Sequence, residues 1–344
     1  MYAPPQAKPT FDPRRPFSRA EARAAGITAD MLLTKRYQKL FWDCWVLRDT
    51  QVTLLLRAAA VLKLVPAGSH ISHHTAAELW GATVPADGHT HVWLPSASGR
   101  QIRTGVRSHY GNAPVQTTLR KGLPISTPEQ TFLDLAAAGL SLVDLVVAAD
   151  GMIKAGHTKP ERIIAAAEQW HGRGCRRARR AAGLAREGVD SPTETKLRLL
   201  IVLAGLPEPR VNLILRGRDG SWHRRYDLAY EHRRLIIEYD GRRHAEDPEQ
   251  WLGDIFRREE LDQMRWRLVV VTAEGIYDDP LRTLERVRDA LIERGPRRCA
   301  ASSSPSGGST SPPTPGASRR LTGVRSGDQT PASRLEVGNV ALER

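Results

Sequence analysis

Residues 191–291 constrain the fold most, because helix and strand patterns alternate there in a definite order. The segment opens with Ser191-Pro192-Thr193-Glu194, which combines a helix N-cap, a proline in the first turn and an acidic capping partner. Apolar runs typical of strands and two further amphipathic helices follow it. The order of helix, three strands, helix, strand and helix is typical of a mixed sheet flanked by helices. We therefore predict an α/β fold for this part of the chain.

The predicted strands are separated by recognisable turns. Asp219-Gly220 is a hairpin turn between the first two strands. A helix from about Pro248 to Met264 precedes the last strand, and a helix from Leu281 to Arg294 follows it. The four strand sequences are RVNLILRG, WHRRYDLAY, RLIIEY and WRLVVVTA.

Three carboxylates fall in or next to these strands. Asp227 lies in the second strand, Glu238 in the third, and Asp240 two residues further on. Because side chains alternate along a strand, Glu238 and Asp240 point to the same side of the sheet. An oxygen-rich site of this kind suits Mg²⁺ or Mn²⁺, which can activate water for phosphodiester hydrolysis. His244, four residues past Asp240, is a candidate general acid or base.

The same acids also have a purely structural explanation. Charged groups in apolar strands are costly to bury unless they are paired, and arginine is abundant in this segment. Asp227 and Glu238 can therefore pair with neighbours such as Arg225 or Arg234 and need no metal. Glu194 has a similar explanation as the capping partner of Ser191.

The motifs SPTETKLRLL, YDLAY, LIIEYDGRRH and DIFRREELDQMRWRLVVVTAEGI resemble the very-short-patch-repair endonuclease-like domain family. That family is a branch of the PD-(D/E)XK restriction-endonuclease-like superfamily. The resemblance implies that Asp227 is the metal-binding aspartate and Glu238 the second acid of the motif. It also implies that Glu194 is the acid of the first helix and His244 the histidine after the glycine. Asp240 stands where a catalytic lysine is usual, a departure shared with the repair-endonuclease branch.

The N-terminal half begins with a different pattern, which we expect to form a mainly helical region. Ser18-Arg19-Ala20-Glu21 is a capping box that opens a helix ended by Gly26. A second short helix from Thr28 to about Arg36 and a strand, KLFWDCWVL, follow. This order is that of a winged helix-turn-helix, but two small packing helices with a hairpin explain it equally well.

Two further motifs, ISHHTAAELWG and ISTPEQTFLDLA, give the N-terminal half a similarity to the AbiEi-type antitoxin region of abortive-infection systems. The similarity implies a DNA-binding winged helix that represses its own operon, and a cognate toxin as a possible partner. The first motif also contains His70, His73 and His74, whose spacing could place two metal ligands on one helical face. We expect a cap or a surface role instead, because no Cys, Asp or Glu stands in a ligand register nearby.

A run of arginines connects the two halves. Residues 173–186 contain six arginines and no acid. Arg173, Arg176, Arg177 and Arg180 recur at helical spacing and would share one face of a linker helix. Such a face can follow a phosphate backbone, although a solvated helix face is the common alternative. The net charge of +13 favours nucleic acid, so we expect DNA as a partner.

The composition sets the limits of the domains. In residues 301–320, Ser, Pro, Gly and Thr occupy 16 of 20 positions, which is typical of disorder. No stretch approaches the roughly 18 uninterrupted apolar residues of a membrane span, and the N-terminus has no apolar core of a secretory signal. We expect a cytoplasmic protein with no membrane partner. The predicted segments are a disordered 1–16, an AbiEi-like 17–160, a basic linker helix 161–187, an endonuclease-like 188–295 and a disordered basic tail 296–344.

Two functions follow from these patterns. The carboxylates favour a Mg- or Mn-dependent DNA endonuclease that acts in DNA repair or phage defence. The missing lysine and the AbiEi-like half favour a DNA-binding transcriptional regulator or antitoxin that has a degenerate nuclease fold and no catalytic activity.

Overall fold

The computed structural model describes residues 11–97, 104–111, 114–216, 223–241 and 248–295, with only the backbone of His223 and residues 248–255. These residues form a mixed α/β structure, as predicted, with one two-stranded, one five-stranded and one four-stranded sheet. His244 and the tail 296–344 lie outside the described residues, so the predictions for them are not tested. No helix in the described ranges is long and apolar enough to cross a membrane.

The first unit contains two short helices and a hairpin. Its elements are α1 (Arg19–Ala24), α2 (Ala29–Leu33), β1 (Tyr37–Phe41) and β2 (Cys44–Leu47). The capping box at Ser18 is present as predicted, with both reciprocal hydrogen bonds. The prediction of a single strand over KLFWDCWVL is wrong. The segment forms the β1–β2 hairpin, in which Trp42 and Asp43 make the turn and Asp43 has a φ of 58°. Aspartate tolerates this left-handed conformation better than most residues do.

The unit begins earlier in the chain than predicted. Residues 11–16 contain a turn in which the Arg15 N–H donates to the Asp12 carbonyl. The turn is attached to the end of β2, because the Leu47 N–H donates to the Pro13 carbonyl at 2.7 Å. The expectation that all of 1–16 is disordered is therefore wrong for residues 11–16.

The middle of the N-terminal half is less helical than predicted. Five strands of only two to four residues occupy part of it, and most of them are too short for an alternating pattern to stand out in the sequence. The elements are α3 (Leu54–Leu62), β3 (His70–Ile71), α4 (His73–Leu79), β4 (Thr90–Trp93), β5 (Val106–His109), β6 (Thr117–Arg120) and β7 (Leu123–Ser126). The five strands form one sheet with the order β5-β4-β3-β7-β6.

The predicted linker helix over 161–187 is wrong. Two helices occupy this segment, and both pack on the N-terminal core together with the two helices before them. The break falls at Gly174, which has a φ of 81° and lies so close to Ala136 that a Cβ would be 2.3 Å from the Ala136 carbonyl oxygen. The four helices are α5 (Pro128–Ala138), α6 (Leu142–Lys154), α7 (Pro160–Gln169) and α8 (Cys175–Leu184).

The C-terminal half has the predicted order of elements, with one short helix added. Its sheet has the order β11-β10-β9-β8, in which β10 and β11 are parallel and the other pairs antiparallel. The elements are α9 (Pro192–Leu203), β8 (Arg210–Arg216), β9 (His223–Tyr230), β10 (Leu235–Tyr239), α10 (Pro248–Gln263), β11 (Arg267–Val271), α11 (Ala273–Tyr277) and α12 (Pro280–Glu293).

Helix α9 belongs to both halves. Leu199 packs into the core formed by α4–α8, whereas Leu197 and Ile201 pack into the core of the four-stranded sheet. Between them Arg198 is completely buried and forms an ion pair with Asp150 of α6 at 3.0 Å. The boundary predicted at residue 188 therefore separates two cores that share one helix.

Candidate functional site

The strand ladder ends where the predicted acids lie. The last paired residues of β9 and β10 are Leu228 and Ile237, and one more step in this register sets Asp227 opposite Glu238. Asp227 Oδ2 accepts the backbone N–H of Tyr239 at 2.9 Å, so the side chain replaces a backbone partner at the end of the ladder. Two carboxylates on facing strand positions repel each other unless a positive charge lies near them.

Asp240 extends this group along the edge of the sheet. Its backbone N–H donates to the Val271 carbonyl at 2.8 Å, which continues the pairing of β10 with β11. Glu238 and Asp240 line the same cavity of about 290 Å³, together with Tyr239 between them. Arg257 and Arg258 of α10 line that cavity as well. The cavity thus presents both carboxylates and guanidinium groups.

Arg257 is the positive charge that the sequence analysis missed. Its guanidinium forms an ion pair with Glu238 and lies 4.8 Å from the centre of the Tyr226 ring. Burial opposes the charge of Arg257, but the hydrogen bond and the charge of Glu238 outweigh it and raise the pKa of Arg257. Arg257 lies 19 positions after Glu238, on a helix, so no local sequence pattern connects the two residues. Only the folded chain identifies this partner.

The arginines expected to pair with the acids have other partners. Arg225 forms an ion pair with Asp190, and Arg234 donates to the Met264 carbonyl at 3.2 Å. The structural explanation of Glu238 is therefore right about the kind of partner but wrong about which residue supplies it.

Burial makes ionisation of the remaining acids less favourable. It raises the pKa of Asp227, and the charge of Glu238 raises that pKa further, against the opposing hydrogen bond from Tyr239. Burial also raises the pKa of Glu194, and the charge of Asp227 adds to this effect. Asp227 thus interacts electrostatically with acids on both sides. A cation would relieve this repulsion.

Ser191 caps α9 as predicted, because its Oγ accepts the Glu194 backbone N–H at 3.1 Å. The Glu194 carboxylate is not the expected reciprocal partner: its Oε2 accepts the backbone N–H of Asp190, the residue before the cap, at 2.9 Å. Because one carboxylate oxygen is held by this bond, Glu194 contributes to the site mainly through its charge.

Carboxylate oxygens are the right type of ligand for Mg²⁺ or Mn²⁺. Within the described residues, however, Asp227, Glu238 and Asp240 do not bring three ligand atoms within 4.8 Å of one another. The Arg257 guanidinium contacts Glu238 where a metal ion would otherwise balance its charge. The three acids therefore offer the right type of ligand atom but do not converge on one position, and Glu238 is paired with Arg257.

The basic face lies on α8. Arg176, Arg177 and Arg180 are exposed and stand at helical spacing, whereas Arg173 is exposed just before the helix begins. The opposite side of α8 is buried through alanines at positions 178, 181 and 182. None of the four arginines forms an ion pair with another described residue, so their charge is available to a ligand.

Comparisons with known proteins add relatives but no activity. No family model matches the chain. The uncharacterized proteins MT2308 and Rv2248, from two strains of Mycobacterium tuberculosis, are each 30% identical to it over 124 residues. These matches cover 36% of this chain and 45% of each relative, so the chain spans less than half the length of these relatives.

One solved structure is also similar to the chain at a low level. The crystal structure of the RV2827C protein from Mycobacterium tuberculosis has a TM-score of 0.36 and 15% sequence identity, over 61% of this chain and 86% of that one. Similarity at this level supports no statement about fold or activity.

Proposed function

We propose that the C-terminal half is a Mg²⁺- or Mn²⁺-dependent nuclease domain that hydrolyses phosphodiester bonds in DNA, in repair or phage defence. The observation that carries the proposal is the position of Asp227 opposite Glu238 at the end of the strand ladder, with Asp240 on the same cavity as Glu238. Acids brought together in this way, at a cost in repulsion, are typical of a site that binds a cation.

The residues of the site have separate roles in this proposal. Asp227, Glu238 and Asp240 would hold the ion, which would supply an activated water and stabilise charge on the phosphate. Arg257 and Arg258 line the cavity and attract the phosphate group. His244 is the expected proton-transfer group, and Glu194 helps to keep the site electronegative.

In this proposal, the N-terminal half and the arginine face bind the DNA that the nuclease domain cleaves. The unit of α1, α2 and the β1–β2 hairpin has the element order of a winged helix-turn-helix. The exposed arginines of α8 supply charge that does not depend on base sequence.

A second function is favoured by one contact, the ion pair of Glu238 with Arg257. If this pair persists on DNA and no metal replaces the arginine, the domain binds DNA without cutting it. The protein would then be a transcriptional regulator or antitoxin, with a toxin as its partner.

A cleavage assay separates the two functions. Wild-type protein is incubated with plasmid, mismatched, branched and single-stranded DNA, with and without Mg²⁺ or Mn²⁺. The nuclease proposal predicts metal-dependent cleavage of at least one DNA, abolished by Asp227→Asn and retained by the control Asp289→Asn, which alters an exposed acid of α12. Binding without cleavage by the wild type would support the regulator, and absence of both would contradict both functions.

Metal binding can be tested separately from cleavage. Saturating Mg²⁺ or Mn²⁺ should stabilise the wild type against unfolding by about 1–3 kcal/mol through linkage. Asp227→Asn should lose this gain without destabilising the metal-free protein, because it removes a carboxylate whose charge is disfavoured by burial and by Glu238. Calorimetry of both proteins with and without metal measures the effect. A wild type that melts identically with and without metal, together with a destabilised mutant, would refute the metal site.

A further inference from the structure

A group of histidines converges on one face of the five-stranded sheet in the N-terminal half. His91 lies on β4 and His109 at the end of β5, while His73 begins α4 above them. One ligand atom from each of the three lies within 4.8 Å of the other two. His73 and His91 are almost completely buried, and His109 is half-buried. Three imidazoles drawn from three elements are thus brought together inside the fold.

The orientation of His91 is fixed from its outer side. Asp87 Oδ2 accepts the His91 Nε2–H at 2.6 Å, which leaves Nδ1 to accept a hydrogen bond from His109 Nε2, 3.0 Å away, a bond that a shared ion would replace. A histidine that binds a metal commonly donates its other ring N–H to a carboxylate, which orients the ring and makes the ligand atom more basic. The Asp87–His91 contact has this arrangement.

His73 is held in an uncommon conformation. Its φ is 51°, which non-glycine residues rarely adopt, and such strain is concentrated at functional sites. Ser72 Oγ lies 3.0 Å from its Nδ1, and its ring is stacked on that of His109 with centroids 3.4 Å apart. The nitrogen lone pairs lie in the ring planes, and the planes of two stacked rings do not meet at a common point. The half-buried His109 must therefore turn out of the stack before His73 and His109 can bind one ion.

A second possible group, His74 with Asp87 and His91, shares His91 with the first. Asp87 is already engaged, because it accepts the His89 N–H, contacts His91 and pairs with Arg107 at 3.2 Å. Since the carboxylate charge is balanced by Arg107, Asp87 is better suited to orient His91 than to bind an ion itself.

We propose that His73, His91 and His109 bind one Zn²⁺ ion, with Asp87 as the residue that orients His91. Three imidazole nitrogens with a fourth, open position are a preferred zinc environment, and hard ions such as Mg²⁺ prefer oxygen ligands. This site is distinct from the carboxylate site of the C-terminal half and does not depend on the nuclease proposal.

The test uses the full chain, stripped with a chelator and then loaded with Zn²⁺. After gel filtration, the wild type and the Asp227→Asn variant should each retain one zinc per chain. His109 belongs only to the group with His73 and His91, and His74 only to the group with Asp87 and His91. His109→Gln should therefore lose the metal, and His74→Gln should retain it. Asp87→Asn should retain it with an affinity lowered about 10–100-fold. Zinc retained by His109→Gln, or lost by His74→Gln, would overturn the assignment.

Co²⁺ used as a spectroscopic probe keeps the test decisive if His109→Gln alters the fold. The variant His109→Cys preserves a ligand but changes its chemistry from nitrogen to sulfur. If His109 binds the metal, the Co²⁺-loaded variant must gain a sulfur-to-cobalt charge-transfer band that the wild type lacks. A spectrum without this band would contradict the proposal.

Discussion

At the scale of single residues, Asp134 shows how burial alone changes the chemistry of an acid. Its carboxylate accepts hydrogen bonds from Gln130 Nε2 at 2.8 Å and from Ser126 Oγ at 3.1 Å. Burial nevertheless outweighs both bonds and raises the pKa of Asp134 to about 7. The folded protein therefore binds this proton more tightly than the unfolded chain does.

The raised pKa predicts a pH dependence of stability. Because the folded pKa lies above the unfolded one, the stability linked to this proton is present below pH ~4 and is lost as the pH rises through about 7. Relative to Asp134→Asn, the wild type should lose about 4 kcal/mol of unfolding free energy between pH ~4 and pH ~8. Urea unfolding of both proteins across this range measures the difference. The control Asp262→Asn, at an exposed acid of α10, should show no such trend, and a flat difference for Asp134→Asn would contradict the prediction.

The sequence identified some residues of the candidate sites and missed others for a physical reason. Asp227 and Glu238 were placed on neighbouring strands because acids inside apolar runs stand out locally, and β9 and β10 are indeed neighbours. Arg257 and His109 were missed because each meets its partner through tertiary packing, whereas Asp87 contacts His91 only four residues further along the chain and was overlooked. The histidine motif at residues 70–74 indicated one member of the proposed zinc group, but the other two, His91 and His109, lie on short strands that only the folded sheet brings together.

At the scale of elements, the prediction for helix α8 was correct for the exposed Arg176, Arg177 and Arg180, but wrong in placing Arg173 on the helix and in treating the helix as a linker. Arginines at helical spacing define the face, and that spacing can be read from the sequence alone. The position of α8 against α5, α6 and α7 depends on small alanines and on the close approach at Gly174, which periodicity does not reveal. The strong caps at Ser18 and Ser191 predicted the helix starts correctly because capping is a local interaction.

The exposed face of α8 gives a prediction about DNA binding. Replacing Arg173, Arg176, Arg177 and Arg180 by Gln should flatten the slope of log affinity against log salt by up to about 4 units, since each phosphate contact contributes about 0.9. Fluorescence anisotropy with labelled duplex DNA over a salt series measures the slope. Four exposed arginines elsewhere, Arg267, Arg282, Arg286 and Arg288, provide a control with the same loss of charge. Equal slopes for the two quadruple variants would show that α8 does not contact phosphate.

At the scale of the whole molecule, α9 joins two cores that the sequence presented as separate domains. The composition changes near residue 188, and the cap at Ser191 marks a helix start, so the predicted boundary fell there. The residues of α9 nevertheless alternate between the two cores, with Leu199 in one and Leu197 and Ile201 in the other. Removal of α9 would therefore expose apolar surface in both cores.

The buried pair of Asp150 and Arg198 is the polar part of this connection. Asp150 also accepts hydrogen bonds from the Arg186 N–H and from Thr195 Oγ1, and Arg198 donates to the Leu184 carbonyl. Burial raises the pKa of Asp150 and the charge of Arg198 opposes that rise, so each group makes the other tolerable inside the protein. Arg198 also pairs with the partly exposed Glu208 at 3.2 Å, so removal of Asp150 leaves Arg198 with that partner alone, whereas removal of Arg198 leaves a buried charge on Asp150 without an arginine.

We therefore expect Asp150→Asn to lower the free energy of unfolding by about 3 kcal/mol, because Arg198 stays buried without its main counter-charge. The double variant Asp150→Leu with Arg198→Met should recover most of this loss, since apolar groups of similar volume need no partner. Glu231→Gln, which breaks the exposed pair with Arg210, should cost less than about 1 kcal/mol.

Calorimetry tests whether the two cores unfold together. Because α9 is common to both cores, every variant should melt in a single transition whose calorimetric and van't Hoff enthalpies agree. Two separate transitions, with Asp150→Asn shifting only one, would mean that the halves unfold independently and that the shared helix does not couple them.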